Sequence, residues 1–424
     1  MYKTTMFSSL AALSLWLIGS TFLLAAENSL SLRDAIEATL AENPQFQSFD
    51  FRERALKGEK QTANLNPPVR FGAEIENVIG TGDLNWFQSN EFTLSLSQVI
   101  ELGDKRSART AVVSRRQDLL TAEKRVLELE LIGEVTRRYI GLASAQQKLA
   151  TLTRSTALAR EIVNTISTRV EAGRAPAAEL SRATAELELS LVDEQSARHE
   201  IDVTRVRLSS LWNELNPAFS TVSANLLNIG ESTDITALLA ILERNPAILI
   251  YADESRLREA QLREAKNLRY GDIQVGIGIR HIAALNDSAF TMQATMPLFS
   301  QKRASGVITS ARANLALVEA DRTNALLRLS TQLIALGYQR SQARDEFLAI
   351  QENVLTQLQN AFDETRAAYE AGRYSFLELS SAQWALINAE LRLINAATRV
   401  HLLTAEIEQL SGESITEFTN GVGQ

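Results

Sequence analysis

The chain of 424 residues contains no cysteine. Disulfide frameworks, thiolate metal sites and cysteine nucleophiles are thereby excluded. Histidine is nearly as scarce: His199, His281 and His401 are the whole complement, and none has a second ligand at metal-site spacing. No G-x-S-x-G, H-E-x-x-H or P-loop sequence occurs. Neither catalysis nor a cofactor is expected. Basic residues do not exceed acidic ones: 43 Lys and Arg stand against 51 Asp and Glu, for a net charge of −8. That balance disfavours nucleic acid as a partner. Prolines number seven, and none lies between 69 and 175 or after 297. A chain this poor in helix breakers and rich in Ala, Leu, Glu and Arg is expected to form long helices.

What is present begins with a targeting signal. Lys3 precedes an apolar run from Phe7 to Leu24, and Ala25-Ala26 lead into Glu27. This is the pattern of a secretory signal peptide over 1–26. Beyond it, no apolar run reaches the roughly 20 residues that a spanning helix needs. If the mature chain enters a membrane, it does so as β-strands.

The remainder reads as one unit written twice, over 27–214 and 234–412, with a linker at 215–233 and a tail at 413–424. Asn43-Pro44 returns as Asn245-Pro246, and Lys105-Arg106 as Lys302-Arg303. Glu171-Ala-Gly173-Arg174 returns as Glu370-Ala-Gly372-Arg373. Each Asn-Pro pair suits a helix start, with Asn as cap and Pro at the first helical position.

Two rods are predicted at about 104–171 and 302–370, each on the order of 100 Å long at about 1.5 Å per residue. Val135, Leu142, Leu149, Thr156, Val163 and Val170 fall seven apart in the first. Ile334, Leu348, Leu355, Phe362 and Tyr369 fall on one seven-residue row in the second, with Ser341 at the position between the first two. Return helices at about 176–214 and 375–411 complete two coiled-coil hairpins. In the second return, Leu379, Leu386, Leu393, Val400 and Ile407 form one row, and Ala382, Ala389 and Ala396 the other. Small residues in one row let helices approach closely.

Four runs alternate between apolar and polar residues, at about 69–79, 91–99, 272–282 and 289–297. Their period of two and length near ten residues match transmembrane barrel strands. The first loop between them holds Trp86. Four strands cannot close a barrel, and an open sheet in lipid leaves unpaired edges. Strands that span a membrane must therefore be shared between chains.

The order of signal, helix, two strands, rod, turn and return, given twice, resembles the TolC-type outer-membrane efflux proteins. Ser97-Gln-Val-Ile-Glu-Leu-Gly103-Asp-Lys-Arg106 and Met296-Pro-Leu-Phe299 are similar to the strand-to-rod junctions of the cobalt–zinc–cadmium (CzcC-like) branch. Tyr369-Glu-Ala-Gly372-Arg373 resembles that family's second tip. The resemblance implies a mainly α fold with a small β part. Three copies would build a twelve-stranded β-barrel, four strands per chain, continued by an α-helical periplasmic tunnel. It also implies a periplasmic adaptor and an inner-membrane resistance-nodulation-division (RND) pump as partners, and outer-membrane lipid around the barrel.

The same resemblance makes Tyr369 and Glu378 the periplasmic gate. A second family carboxylate falls on Ser381, and the family's tip arginine on Tyr374, one place after Arg373. Gly173, Arg174, Gly372 and Arg373 are expected to meet the adaptor. The function expected is a passive exit duct for metal cations or other small toxic solutes. Drug efflux or type I protein secretion on the same fold, and a non-pore periplasmic coiled-coil scaffold, are the alternatives.

Overall fold

The computed structural model describes residues 29–79, 81–82, 89–231 and 234–412. The signal segment 1–26, Trp86 and the tail 413–424 lie outside the described residues. A short strand β1 (Ser29–Leu30) precedes helices α1 (Leu32–Glu42) and α2 (Pro44–Ala63). Strands β2 (Arg70–Glu76) and β3 (Glu91–Ile100) lead into α3 (Lys105–Glu171), an unbroken helix of 67 residues. The return, α4 (Ala177–Ser209), ends in a 3-10 turn at Ser210–Trp212. Strand β4 (Thr221–Val222) pairs in parallel with β1, and α5 (Ile235–Ile241) closes the linker. The order then recurs with α6 (Pro246–Asn267), β5 (Ile273–Ile282), β6 (Asp287–Thr295), α7 (Ser300–Ala349), α8 (Leu355–Glu370) and α9 (Phe376–Ser411).

The two Asn-Pro pairs do more than start helices. Asn43 Oδ1 accepts from the Gln45 amide at 2.9 Å, and Asn245 Oδ1 from that of Ala247 at 2.7 Å. Their Nδ2 groups donate to the carbonyls of Leu211 and Leu410, each at 2.8 Å. Each buried asparagine thus caps one helix and satisfies a carbonyl near the C-terminal end of its repeat's return. An 18-residue window within Ile235–Asn267 is apolar enough in composition for a membrane span, with mean hydropathy 1.4. The segment is not one helix, because a 3-10 turn at Leu242–Arg244 and the extended Asn245 divide it. Leu242 and Ile248 pack on Ala325 and Leu329 of α7, and Leu257 and Ala260 on Val112 of α3.

The strand-to-rod corner is held by charge and by glycine. Gly103 adopts φ +75, and a Cβ there would lie 2.2 Å from the Tyr270 ring, so no other residue fits. Asp272 accepts from Lys105 Nζ at 2.7 Å and from the Leu102 amide at 3.1 Å. Arg109 forks onto both Glu101 oxygens.

The second rod departs from the single seven-residue register expected of it. Its α-helical hydrogen bonding is interrupted by a π-turn at Ile350–Val354. Before the turn the buried row is Leu333, Arg340 and Phe347, while Ile334 is exposed. After it, Phe362 and Tyr369 are buried and Leu355 packs on the core, the row having moved by one residue. A π-turn absorbs one inserted residue. It therefore carries the seam from one register to the next without turning either half out of the core.

In α9, Leu379, Leu386, Leu393, Val400 and Ile407 are all buried, as are Ala389 and Ala396. In α4, only Ala183, Leu208 and Ser209 are. One face of α4 is unpartnered in the single chain, with Leu189 and Val192 exposed.

Candidate functional site

The free end of the helical hairpins is made by two similar turns. Gly173 (φ +68) and Gly372 (φ +73) take the left-handed conformation. The Gly173 amide donates to Val170 O at 2.9 Å and that of Arg174 to Arg169 O at 2.7 Å. Gly372 and Arg373 repeat the pattern onto Tyr369 O (2.9 Å) and Ala368 O (2.8 Å). These are Schellman motifs, whose left-handed position favours glycine. Gly173, Arg174, Gly372 and Arg373 are all exposed at the extreme end of the molecule.

One turn back along α8, Tyr369 is 2% exposed. Its hydroxyl donates to Glu179 Oε2 on α4 at 3.3 Å. The Arg169 guanidinium of α3 lies 4.7 Å over its ring and donates to the carbonyls of Tyr369 (2.7 Å) and Glu370 (3.1 Å). Arg169 therefore supplies donors to the end of α8 and a cation to an aromatic face. Burial, then the neighbouring Glu179 charge, raise the Tyr369 hydroxyl above its usual pKa. Arg366 of α8 reaches back to Glu161 of α3. Beneath lies an apolar cluster with Ile162, Ile166, Ala183, Phe362, Phe376 and Leu379. The two helical hairpins are thus tied together at their free ends.

Glu378 has a different situation. It is exposed, and its Oε2 accepts from the Ser375 amide at 2.7 Å and the Ser375 hydroxyl at 2.9 Å. Ser375 and Glu378 form a capping box at the start of α9, and the bonds from Ser375 hold the carboxyl below its usual pKa. The structure brings Tyr369 together with Glu179, the first-repeat counterpart of Glu378, rather than with Glu378 itself. The spacing Ser375-x-x-Glu378 is a capping signal legible in sequence. No comparable signal marks Arg169, which acts on a residue 200 positions away.

At the other end of the rods lies a four-stranded antiparallel sheet, in the order β2-β3-β5-β6. One row across it runs Phe71, Leu96, Ile277, Met292, and the next on that face Ala73, Leu94, Ile279, Phe290. This face is apolar and open, with Phe290 87% and Met292 88% exposed. The opposite face carries Glu74, Thr93, Arg280 and Thr291. Among the described residues, strands β2 and β6 are unpaired on their outer sides.

Two of the three histidines lie away from both ends, and His281 sits in β5 opposite Phe92. His401 is buried and bonded to Leu226 O at 2.9 Å. His199 contacts Gln195, and His281 contacts Ser288. Among the described residues no group of three or more His, Asp or Glu is arranged to hold a metal.

The fold is thus a four-stranded sheet with one open apolar face, standing on long helical hairpins. The chain belongs to the outer membrane efflux protein family, whose model matches residues 35–214 and again 238–413. It is 24% identical over 325 residues to the cobalt-zinc-cadmium resistance protein CzcC of Cupriavidus metallidurans, covering 76% of this chain and 77% of that one. It is 26% identical over 296 residues to the nickel-cobalt-cadmium resistance protein NccC of Alcaligenes xylosoxydans xylosoxydans, covering 68% and 66%.

Among solved structures, the channel-forming CusC aligns with a TM-score of 0.74 at 15% identity, over 90% of this chain and 92% of that one. The outer membrane protein VceC of Vibrio cholerae aligns at 0.69 and 16%, over 91% and 97%. At these identities the structural likeness establishes the fold alone.

Proposed function

We propose that this protein is the outer-membrane exit duct of a tripartite efflux pump, conducting metal cations or other small toxic solutes passively from periplasm to outside. The observation that carries the reading is the sheet, whose apolar face has no cover and whose two edges have no partners among the described residues. Lipid would cover the face, and a neighbouring chain the edges.

The two repeats suggest how copies join. Helix α6 packs on the rod of its own repeat, α7, and on that of the other repeat, α3. Its counterpart α2 packs on α3 and has no buried residue. The free face of α2, where Phe51 is 62% exposed, therefore suits the α7 of a second copy. In the sheet, β3 of the first repeat pairs with β5 of the second. The same handover between chains joins β6 to the next chain's β2. Three copies give twelve strands and a ring of six repeats, with the rods continuing as a periplasmic tunnel.

At the tunnel's far end Tyr369, held by Glu179 and Arg169, keeps the hairpins converged as a gate. Glu378 adds a negative charge at the same turn. The tips at Gly173, Arg174, Gly372 and Arg373 offer close backbone approach and forked donors to a periplasmic adaptor. A groove of about 500 Å³ between α4 and α9, lined by Ala183, Phe376 and Trp384 among others, opens above them. An inner-membrane RND pump would supply the energy. Metal cargo is favoured because CzcC and NccC are both named for metal resistance.

The test is a strain lacking this chain. Loss of resistance to cobalt, zinc or cadmium, restored by the gene, is the expected result. Sensitivity confined to dyes or antibiotics would overturn the metal cargo.

A further inference from the structure

The β5–β6 turn at 283–286 lies at the end of the sheet opposite the rods. If the sheet forms the barrel of the duct proposed above, its polar face lines the lumen and this end is the outer mouth. Two rows of that face meet there. One is Glu74, Thr93, Arg280, Ala289, and the other Glu76, Glu91, Ile282, Asp287. On these rows four carboxylates face one cation.

That cation bridges three strands. Arg280 Nη1 donates to Glu91 Oε2 at 2.8 Å, and Nε donates to Thr93 Oγ1 at 3.1 Å. Nη2 makes an ion-pair contact with Glu76 Oε2 at 3.1 Å, outside hydrogen-bond geometry. Thr93 is buried beneath. The rigid fork can serve two carboxylates from different strands at once, which a lysine ammonium on a flexible stem cannot hold in place.

Glu76 and Glu91 are direct cross-strand partners. Their Cβ atoms are therefore about 5 Å apart. Without Arg280, two repelling carboxylates at that separation form a ready chelate for a divalent cation, repeated in each chain around the mouth. A duct whose cargo is divalent must bind it weakly enough to let it leave.

We infer that Arg280 is a specificity-determining residue that occupies the Glu76–Glu91 pair and so keeps the exit from retaining divalent cations. The inference rests on the duct reading, and its test separates the two. Cadmium is titrated calorimetrically into the detergent-purified assembly, and conductance is measured in planar bilayers. Arg280→Gln is expected to tighten cadmium binding by about tenfold or more and to raise the preference for cations. Arg280→Gln combined with Glu76→Gln and Glu91→Gln is expected to return to the wild-type affinity.

Unchanged cadmium binding in Arg280→Gln, or tightened binding that survives removal of both carboxylates, overturns the inference. Should Arg280→Gln fail to assemble, Glu76→Gln/Glu91→Gln with Arg280 intact provides the second arm. It is expected to shift ion preference towards anions, and an unchanged preference overturns the inference. A wild-type assembly that opens no channel under any condition contradicts the duct reading itself, whatever the cadmium titration gives.

Discussion

At the scale of single residues, the tip is where one bond has the longest reach. Tyr369 joins α8 to α4 through Glu179, and to α3 through the Arg169 guanidinium over its ring. Tyr369→Phe removes the hydroxyl while keeping the ring, and Glu179→Gln keeps the shape while removing the charge. Both are expected to raise bilayer conductance severalfold, each loosening a bond of about 1 kcal/mol. Glu378→Gln, which touches only the Ser375 cap, is expected to fray the start of α9 with a smaller change in conductance. Equal effects of Glu179→Gln and Glu378→Gln would remove Glu179 from the gate.

A second residue-scale effect is pH dependence. Burial holds the His401 imidazole down to about 4, the Leu226 carbonyl offsetting this in part and the nearby Arg340 charge adding to it. An unfolded chain takes up that proton near 6.5. The site's contribution is therefore complete above about 6.5 and is lost as pH falls from there to about 4. The loss is about 3 kcal/mol. His401→Gln should flatten thermal stability across that window, and an unchanged slope would show that His401 is not the group responsible.

At the scale of elements, the rods show both what the sequence discloses and what it hides. The heptad of α9 is legible because every member, from Leu379 to Ile407, is a large aliphatic at one interval, and all are buried. The Asn-Pro starts are legible because capping is local. The π-turn is not, since nothing in Ile350-Gln-Glu-Asn-Val354 distinguishes it from an α-helical run. Its trace is indirect: the buried row ends at Phe347 and resumes at Leu355, eight residues later rather than seven.

Likewise Ser375-x-x-Glu378 announces a cap, whereas the pairing of Arg169 with Tyr369 follows only once two hairpins lie side by side. The seam suggests a measurement. Deleting Glu352 should convert the π-turn to α-helix with both halves still in register. Assembly and melting temperature should be nearly unchanged. Deleting Ser341 instead rotates the remainder of α7 by about 100° relative to its seam and should abolish assembly. Identical behaviour of the two deletions would contradict the register shift.

At the scale of the whole molecule, the exposed features sit at opposite ends, strands with an open apolar face at one and glycine turns at the other. If the turns dock an adaptor, Gly372→Asp should leave assembly intact while abolishing export and cross-linking to it. The strained left-handed side chain costs about 1–2 kcal/mol locally, too little to unfold rods of this length. Retained cross-linking at normal yield would reduce Gly372 to a helix cap.

Closure of the barrel is the central claim. Within the chain one row runs Ala73, Leu94, Ile279, Phe290. If Phe290 met Ala73 of the next chain, the row would close without stagger, which tilted barrel strands do not permit. A stagger of about four residues per chain places Ala294 opposite that Ala73 and tilts the strands by about 35°. Since the chain has no cysteine, Ala73→Cys with Ala294→Cys introduces the only thiols. Mild oxidation of membranes carrying this variant should yield a covalent species of three chains that resists denaturation and grows no further. No cross-linked product, or an open ladder beyond three chains, would contradict the closed twelve-stranded barrel.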